Sequence, residues 1–218
     1  MTASLQNAEA KMSFLLGLRT SGLLDTASLK AFERVSRLDF VGHQYADLAL
    51  EDVALPIACG QTQTAPGSIA RMLAALETTS GDRILEVGTG SGYTAALLGQ
   101  IGLSVTTMER YRTLAEAAKT RFTRLGITNI SVVHSDGSRG LAEEGPFDRI
   151  IVHGAVEGDV DPLIEQLTPG GVLVGVLRVS HVAELTRWRR PEGGRSVEID
   201  HFGRLDMPLL AMGLSEAL

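Results

Sequence analysis

Ile84-Leu85-Glu86-Val87 runs straight into Gly88-Thr89-Gly90-Ser91-Gly92-Tyr93, and a second apolar run closes on Glu109, seventeen residues after Gly92. An apolar stretch ending in an acid, then three glycines at alternate positions, reads as a buried strand turning sharply into a helix. Glycine is needed where such a turn takes backbone angles that other residues resist and where a ligand lies against the main chain. Leu103-Ser104-Val105-Thr106-Thr107-Met108 reads as the next strand. A carboxylate at its tip, Glu109, is placed to accept both hydroxyls of a ribose. The ligand class is an adenosine compound.

Glycine spacing narrows that class. A dinucleotide site wants G-x-G-x-x-G, which would put its third glycine at position 93, where this chain has tyrosine. The Walker pattern fails as well, because no Gly-Lys-Ser/Thr follows. Glu86, expected near the mouth of the loop, would set a like charge against a pyrophosphate. A ligand with a cationic centre and no phosphates fits better. S-adenosylmethionine carries a sulfonium, an ammonium and a ribose, and is the expected cofactor.

The rest of the composition excludes several classes. At 218 residues the chain suits one enzyme-sized α/β domain with a small accessory segment. A net charge of −6 argues against a nucleic-acid partner, which normally meets a basic face. One cysteine, Cys59, leaves no internal disulfide and fits a reducing cytoplasm, the expected location. No apolar run reaches the ~18 residues of a membrane span. Met1-Thr2-Ala3-Ser4-Leu5-Gln6-Asn7 lacks the marks of a signal peptide, so no membrane partner is expected. The five histidines are scattered without metal-ligand spacing, and no metal is expected.

Along the chain, residues 4–50 read as helical. Phe14, Leu15 and Leu18 recur at helical spacing, and Asp25 or Thr26 can cap a second helix carrying Leu29, Phe32 and Val35. Strands are expected at 83–87, 103–109, 130–134, 148–153 and 171–177, with helices near 92–100, 111–125 and 160–167. That alternation means βαβ units and a parallel sheet. Segments 181–189 and 196–202 flank the turn cluster Pro191-Glu192-Gly193-Gly194 and read as a β-hairpin. The apolar run 207–212 reads as a further strand. The expected fold is α/β, a class I S-adenosylmethionine-dependent methyltransferase (Rossmann-like) fold: a mostly parallel sheet with a terminal antiparallel hairpin and N-terminal helices. Residues 1–65 are expected to form the helical segment and lid loop, and 66–218 the cofactor-binding core with its hairpin.

Asp52-Val53-Ala54-Leu55-Pro56-Ile57-Ala58-Cys59-Gly60-Gln61-Thr62-Gln63-Thr64-Ala65-Pro66 resembles the segment that marks protein-L-isoaspartate O-methyltransferases. The resemblance continues through 85–92, Thr107-Met108-Glu109-Arg110, 125–130, Ser135-Asp136-Gly137-Ser138, 146–152 and 162–171, in order along residues 27–175. Members of that family repair damaged proteins. They methylate the free α-carboxylate of an L-isoaspartyl residue, which then cyclises to a succinimide and can reopen as aspartate. The expected partner is therefore an isoaspartyl peptide or protein; oligomeric state is not legible.

The chemistry agrees with the residues present. An α-carboxylate in water titrates at roughly pH 3.3–3.7, so the nucleophile is already ionised at neutral pH and needs no general base. Catalysis then rests on alignment and water exclusion, and positioning can supply on the order of 7–11 kcal/mol. The resemblance puts Thr64 where the family has a serine at the reacting centre; capping of the helix after Pro66 is the plainer alternative. Gln61 and Thr62 are expected to form a lid over the cofactor. Gly88, Gly90 and Gly92 are expected to pass its methionine half, and Glu109 to hold its ribose as a strand-end acid outside the core. Asp136, beside Gly137, should accept from the adenine amino group, and Glu86 should orient cofactor or backbone near the loop.

The substrate half departs from the family pattern at Ala58, Cys59, Gln63, Thr64, Gly67 and Asp206. Asp206 stands where the family ending has an aromatic, and an acid in a carboxylate pocket would repel its substrate unless paired. Two other readings therefore stay open: methylation of a different small-molecule or peptide acceptor, or a non-catalytic cofactor-binding module. Cys59 reads as a packing residue, with no adjacent cation to activate it. Arg187, Arg189, Arg190 and Arg195 read as a solvated turn.

Overall fold

The computed structural model describes residues 3–193 and 196–215. Helix α1 (Ala3–Thr20) leads to α2 (Thr26–Arg34), whose cap is Asp25: its carboxylate accepts the Ser28 backbone N–H at 2.7 Å. Two 3₁₀ turns, Arg37–Phe40 and His43–Leu48, follow in place of continuous helix. A small antiparallel pair, β1 (Leu55–Pro56) and β2 (Thr62–Gln63), precedes α3 (Pro66–Leu76).

The core alternates as the periodicity predicts: β3 (Arg83–Val87), α4 (Tyr93–Ile101), β4 (Ser104–Glu109), α5 (Arg112–Arg124), β5 (Ile130–His134) and β6 (Phe147–Val156). Helix α6 (Asp161–Ile164) is a single turn, cut short of the expected 160–167. Then come β7 (Leu167–Val179), β8 (Val182–Arg189) and β9 (Glu198–Arg204). One seven-stranded sheet has the order β5-β4-β3-β6-β7-β8-β9, parallel through β7 and antiparallel for the last two pairs. Strand faces alternate, so Ile84, Ile151 and Val174 join one buried cluster and their neighbours Leu85, Ile150 and Leu173 the other. Phe32 and Phe40, from the N-terminal segment, pack into the first cluster around Tyr93.

Segment 207–212 is not a strand. It touches the sheet through one parallel bridge, Ala155 to Leu209, and runs across the carboxyl ends of the strands. Its apolar side chains cover a cleft instead of extending the sheet.

The arginine group is no solvated turn either. Arg187 is 15% exposed and pairs with Glu77 (2.5 Å) and Asp200 (2.8 Å), while Arg189 pairs with Glu77 at 2.7 Å. Arg190 donates to the Glu165 carbonyl at 3.0 Å. Arg187 and Arg189 clamp β8 to the end of α3, and Arg195 and Gly194 of the same cluster lie outside the described residues.

Candidate functional site

A cleft opens at the carboxyl ends of β3, β4 and β6. The chain passes from β3 outward to β4 and β5 and then returns to β6 on the other side of β3. Open α/β sheets bind ligands at such a reversal of strand order. Gly88 and Gly90 line the cleft with φ of 95° and 53°. A Cβ on Gly88 would stand 3.2 Å from the His153 backbone oxygen, so the loop lies tight against the end of β6.

Glu109 ends β4 and holds that loop in place. One carboxylate oxygen accepts the Gly90 N–H at 2.8 Å and the other the Tyr111 N–H at 3.0 Å. The residue lines the cleft yet is only 5% exposed, so the picture of a strand-end acid outside the core is corrected: it is a buried structural acceptor as well. Each oxygen keeps a further lone pair for a ribose hydroxyl.

Asp136 and Gly137 follow β5 and also line the cleft. Asp136 accepts from the Ser138 N–H (2.9 Å) and from the Gly213 N–H (2.7 Å). Partial burial alone would raise its carboxyl; the two backbone donors and the Arg110 charge outweigh that and hold it below the ordinary value.

Thr64 lines the cleft, half-buried, from the residue after β2. It does not cap α3; Ala65 is the N-cap and Pro66 the first helical residue. Gln61 and Thr62 form the same wall, and the Gln61 amide donates to the Tyr111 hydroxyl at 3.3 Å. The opposite wall, Met207 to Ala211, carries no motif that marks it in the sequence as part of a site. Arg110 secures it, donating to the carbonyls of Gly213 (2.7 Å) and Met212 (3.2 Å) and to the Tyr111 hydroxyl (3.2 Å).

Two expected site residues are elsewhere. Gly92 does not line the cleft: it is the N-cap of α4 with φ 86°, and a Cβ there would come 2.7 Å from Phe122. It supplies the close packing that a dinucleotide motif assigns to its third glycine, which lets position 93 be Tyr93, 1% exposed between Phe32 and Phe40. Glu86 is not at the loop mouth but fully buried beneath it. Neighbouring strand residues face opposite ways, and it is Val87 that reaches the cleft wall. Thr107 donates to Glu86 at 2.5 Å, so the Thr89 hydroxyl, 2.6 Å from that of Thr107, is the donor of the second bond. His153 Nε2 stands 3.2 Å from the other Glu86 oxygen.

Three supposed changes to the substrate side are structural. Gln63, 5% exposed, accepts from Arg37 (2.7 Å) and donates to Ser91 (2.8 Å), stapling the lid to the glycine loop. Gly67 donates to Asp52 at 2.6 Å, and a Cβ there would run into that carboxylate. Asp206 pairs with Arg204 at 2.9 Å, is 61% exposed and is absent from the cleft wall, so it repels nothing there.

Comparison with known proteins agrees with this architecture. Residues 9–202 match the family described as protein-L-isoaspartate(D-aspartate) O-methyltransferase. A protein-L-isoaspartate O-methyltransferase of Paracoccus denitrificans is 44% identical over 190 residues, 87% of this chain and 88% of that one. One from Caulobacter vibrioides is 43% identical over 200 residues, covering 91% and 90%. The fold matches a solved protein-L-isoaspartate O-methyltransferase with a TM-score of 0.84 at 24% identity, over 94% of this chain and 67% of the other. It also matches a beta-aspartate methyltransferase from Plasmodium falciparum, solved in complex with S-adenosyl-L-homocysteine, with a TM-score of 0.78 at 21% identity over 91% and 97%. On the extent of the family match and the identity to its members, this chain belongs to the protein-L-isoaspartate(D-aspartate) O-methyltransferase family.

Proposed function

We propose that this protein methylates the α-carboxylate of L-isoaspartyl residues in damaged proteins, with S-adenosylmethionine as methyl donor. The observation that carries the reading is the cleft itself, where glycine backbone, two carboxylates and Thr64 share one wall system at the switch point. The residues fit the cofactor: carboxylates to accept from ribose and adenine, and glycine backbone left open to its methionine half. Bound there, the cofactor supplies a methyl whose bond to sulfur breaks, the electron pair staying on sulfur, as the substrate oxygen forms its bond to carbon.

The protein's own residues hold and align. Glu109 receives the ribose hydroxyls while still tethering Gly90. Asp136 accepts the adenine amino group through lone pairs left by Ser138 and Gly213. Gly88 and Gly90 give backbone contact to the methionine half, and Gln61 and Thr62 cover it. Thr64 donates its hydroxyl to the substrate carboxylate, orienting one oxygen for in-line attack. The wall from Met207 to Ala211 excludes water. Gly92 and Glu86 act from behind, by packing and by buried hydrogen bonds. Residues 1–65 provide the lid and its support, and 66–218 the cofactor core.

With net charge −6 the partner is protein or peptide rather than nucleic acid. Among the described residues no helix is long and apolar enough to cross a membrane. We assign the cytoplasm on the lone Cys59 and the intracellular cofactor. Labelled S-adenosylmethionine with matched isoaspartyl and aspartyl peptides tests the reading. Base-labile methyl esters should form on the isoaspartyl peptide alone; cofactor binding without any such ester would overturn it.

A further inference from the structure

His153 sits at the strand-order reversal, in an irregular stretch of β6. Pairing with β7 is regular to Ile151 opposite Val174 and resumes at Ala155 opposite Val176, so residues 152–154 face Gly175 alone. A bulge bends its strand and re-aims a side chain, and bulges gather beside active sites. This one brings His153 to the cleft wall with its side chain only 10% exposed.

The ring is gripped from behind. Nε2 is buried without a hydrogen bond and lies 3.2 Å from Glu86 Oε1, an oxygen that has no hydrogen bond either; the contact is ionic in its geometry. Glu86 is fully buried and Thr107 fixes its second oxygen. A buried carboxylate at that distance, itself fixed, sets which edge of the ring faces inward. Nδ1 is then the nitrogen left to the cleft. Arg110 is the only other basic residue among the described cleft-lining ones, and its guanidinium is held to the tail and to Tyr111 by bonds to Gly213, Met212 and the Tyr111 hydroxyl. Glu109 and Asp136 line the same cleft with negative charge.

A substrate whose reacting group is a carboxylate needs a donor on this wall. We propose that His153, oriented by Glu86, is a specificity residue that receives the isoaspartyl α-carboxylate as an imidazolium, Nδ1–H donating to the substrate and Nε2–H facing Glu86, and with Thr64 fixes which oxygen faces the methyl. The role rests on the methyl-transfer reading above. His153 makes and breaks no covalent bond, and Glu86 is a positioning residue that acts through it.

The test uses the full chain with isoaspartyl peptide and S-adenosylmethionine. His153→Ala should raise KM for the peptide about tenfold or more, while the dissociation constant of S-adenosylhomocysteine stays within about twofold. Added imidazole should recover part of the loss, which a purely structural role would not allow. Glu86→Gln should shift KM the same way in the native background and add nothing in the His153→Ala background. An unchanged KM, or peptide and cofactor binding falling together, would overturn the role; so would a full additional effect of Glu86→Gln. Should His153→Ala fail to fold, His153→Gln carries the same comparison. If the native protein forms no isoaspartyl ester, the functional reading itself falls and this role with it. A native protein that is active beside an unaffected variant removes only the role of His153.

Discussion

Glu109 tethers the glycine loop and, in the proposed role, also receives the ribose, and its substitution should show both. Glu109→Ala removes acceptors from the Gly90 and Tyr111 N–H groups as well as the ribose partner. Cofactor affinity should fall by about 1.5–3 kcal/mol, and the unfolding midpoint should fall with it. Calorimetry with S-adenosylhomocysteine beside urea unfolding checks this; native affinity in the variant would refute the ribose assignment. Thr64 separates the other way, because it caps nothing. Thr64→Ser keeps the hydroxyl and should keep or raise turnover. Thr64→Ala should lower kcat/KM by roughly tenfold to a hundredfold with cofactor binding within about tenfold, read from initial rates. The place of Glu109 at the cleft was legible because a strand-final acid after a glycine turn has few uses. Its burial was not, since nothing in the local sequence says that backbone donors 19 and 2 residues away converge on it. Gly92 and Glu86 were misplaced for a related reason. Val87, Gly88 and Gly90, between them in sequence, line the cleft, but the partners that decide their own positions, Phe122 and His153, are brought in by the fold.

Among the elements, the alternating strands and helices of the core were readable from period and length, because each buries a continuous apolar face. The lid and the tail were harder. Their hydrogen bonds go to loops and side chains, so no periodicity marks them. They meet across the cleft: Gln61 of the lid reaches the Tyr111 hydroxyl, which accepts from Arg110, which in turn holds the tail carbonyls. The apolar run 207–212 looks like a strand because it too buries side chains, but its backbone partners are Ala155 and Arg110 rather than a ladder. Arg110→Ala should loosen this clasp. S-adenosylhomocysteine should dissociate about tenfold faster, measured by stopped-flow displacement, with little change in thermal stability. An unchanged rate would mean that the Asp136–Gly213 bond and the packing of Leu209 and Leu210 hold the tail alone. Arg37 does the equivalent work for the lid. It is 2% exposed and donates to Gln63 and to the carbonyls of Glu51 and Val53. Arg37→Ala leaves the buried Gln63 oxygen without its donor and opens a cavity, and should cost about 1–3 kcal/mol, seen as a lower urea midpoint.

For the molecule as a whole, two carboxylates join parts of the chain that are far apart in sequence, and both titrate below their ordinary values. Burial opposes ionisation of Glu77, but hydrogen bonds and charge from Arg189 and Arg187 outweigh it. Through them the end of α3 is bound to β8. Asp136 is lowered by the Ser138 and Gly213 N–H groups against the same burial penalty, and binds the tail to the cleft. A carboxylate whose folded pKa lies below its unfolded one stabilises the fold fully above the unfolded value, near pH 4 to about 5, and that contribution is lost as pH falls through the folded value. Arg187 is itself raised, burial being outweighed by Asp200 and Glu77, so it stays charged throughout and the carboxylates set the response. Acid should therefore weaken the attachment of the C-terminal third and of the cleft wall together. Trp188 is the chain's single tryptophan, lies on β8 at 4% exposure and pairs opposite Leu173. Its fluorescence in urea titrations should show a midpoint that is flat from pH 7 to about 5.5 and falls steeply toward pH 3. Glu77→Gln and Asp136→Asn should each lower the midpoint at pH 7 and flatten the fall below pH 5. Asp136→Asn alone should also weaken S-adenosylhomocysteine binding at pH 7, because only that carboxylate faces the cleft. Equal acid slopes in all three proteins would show that these two clamps do not govern the acid limit of the fold.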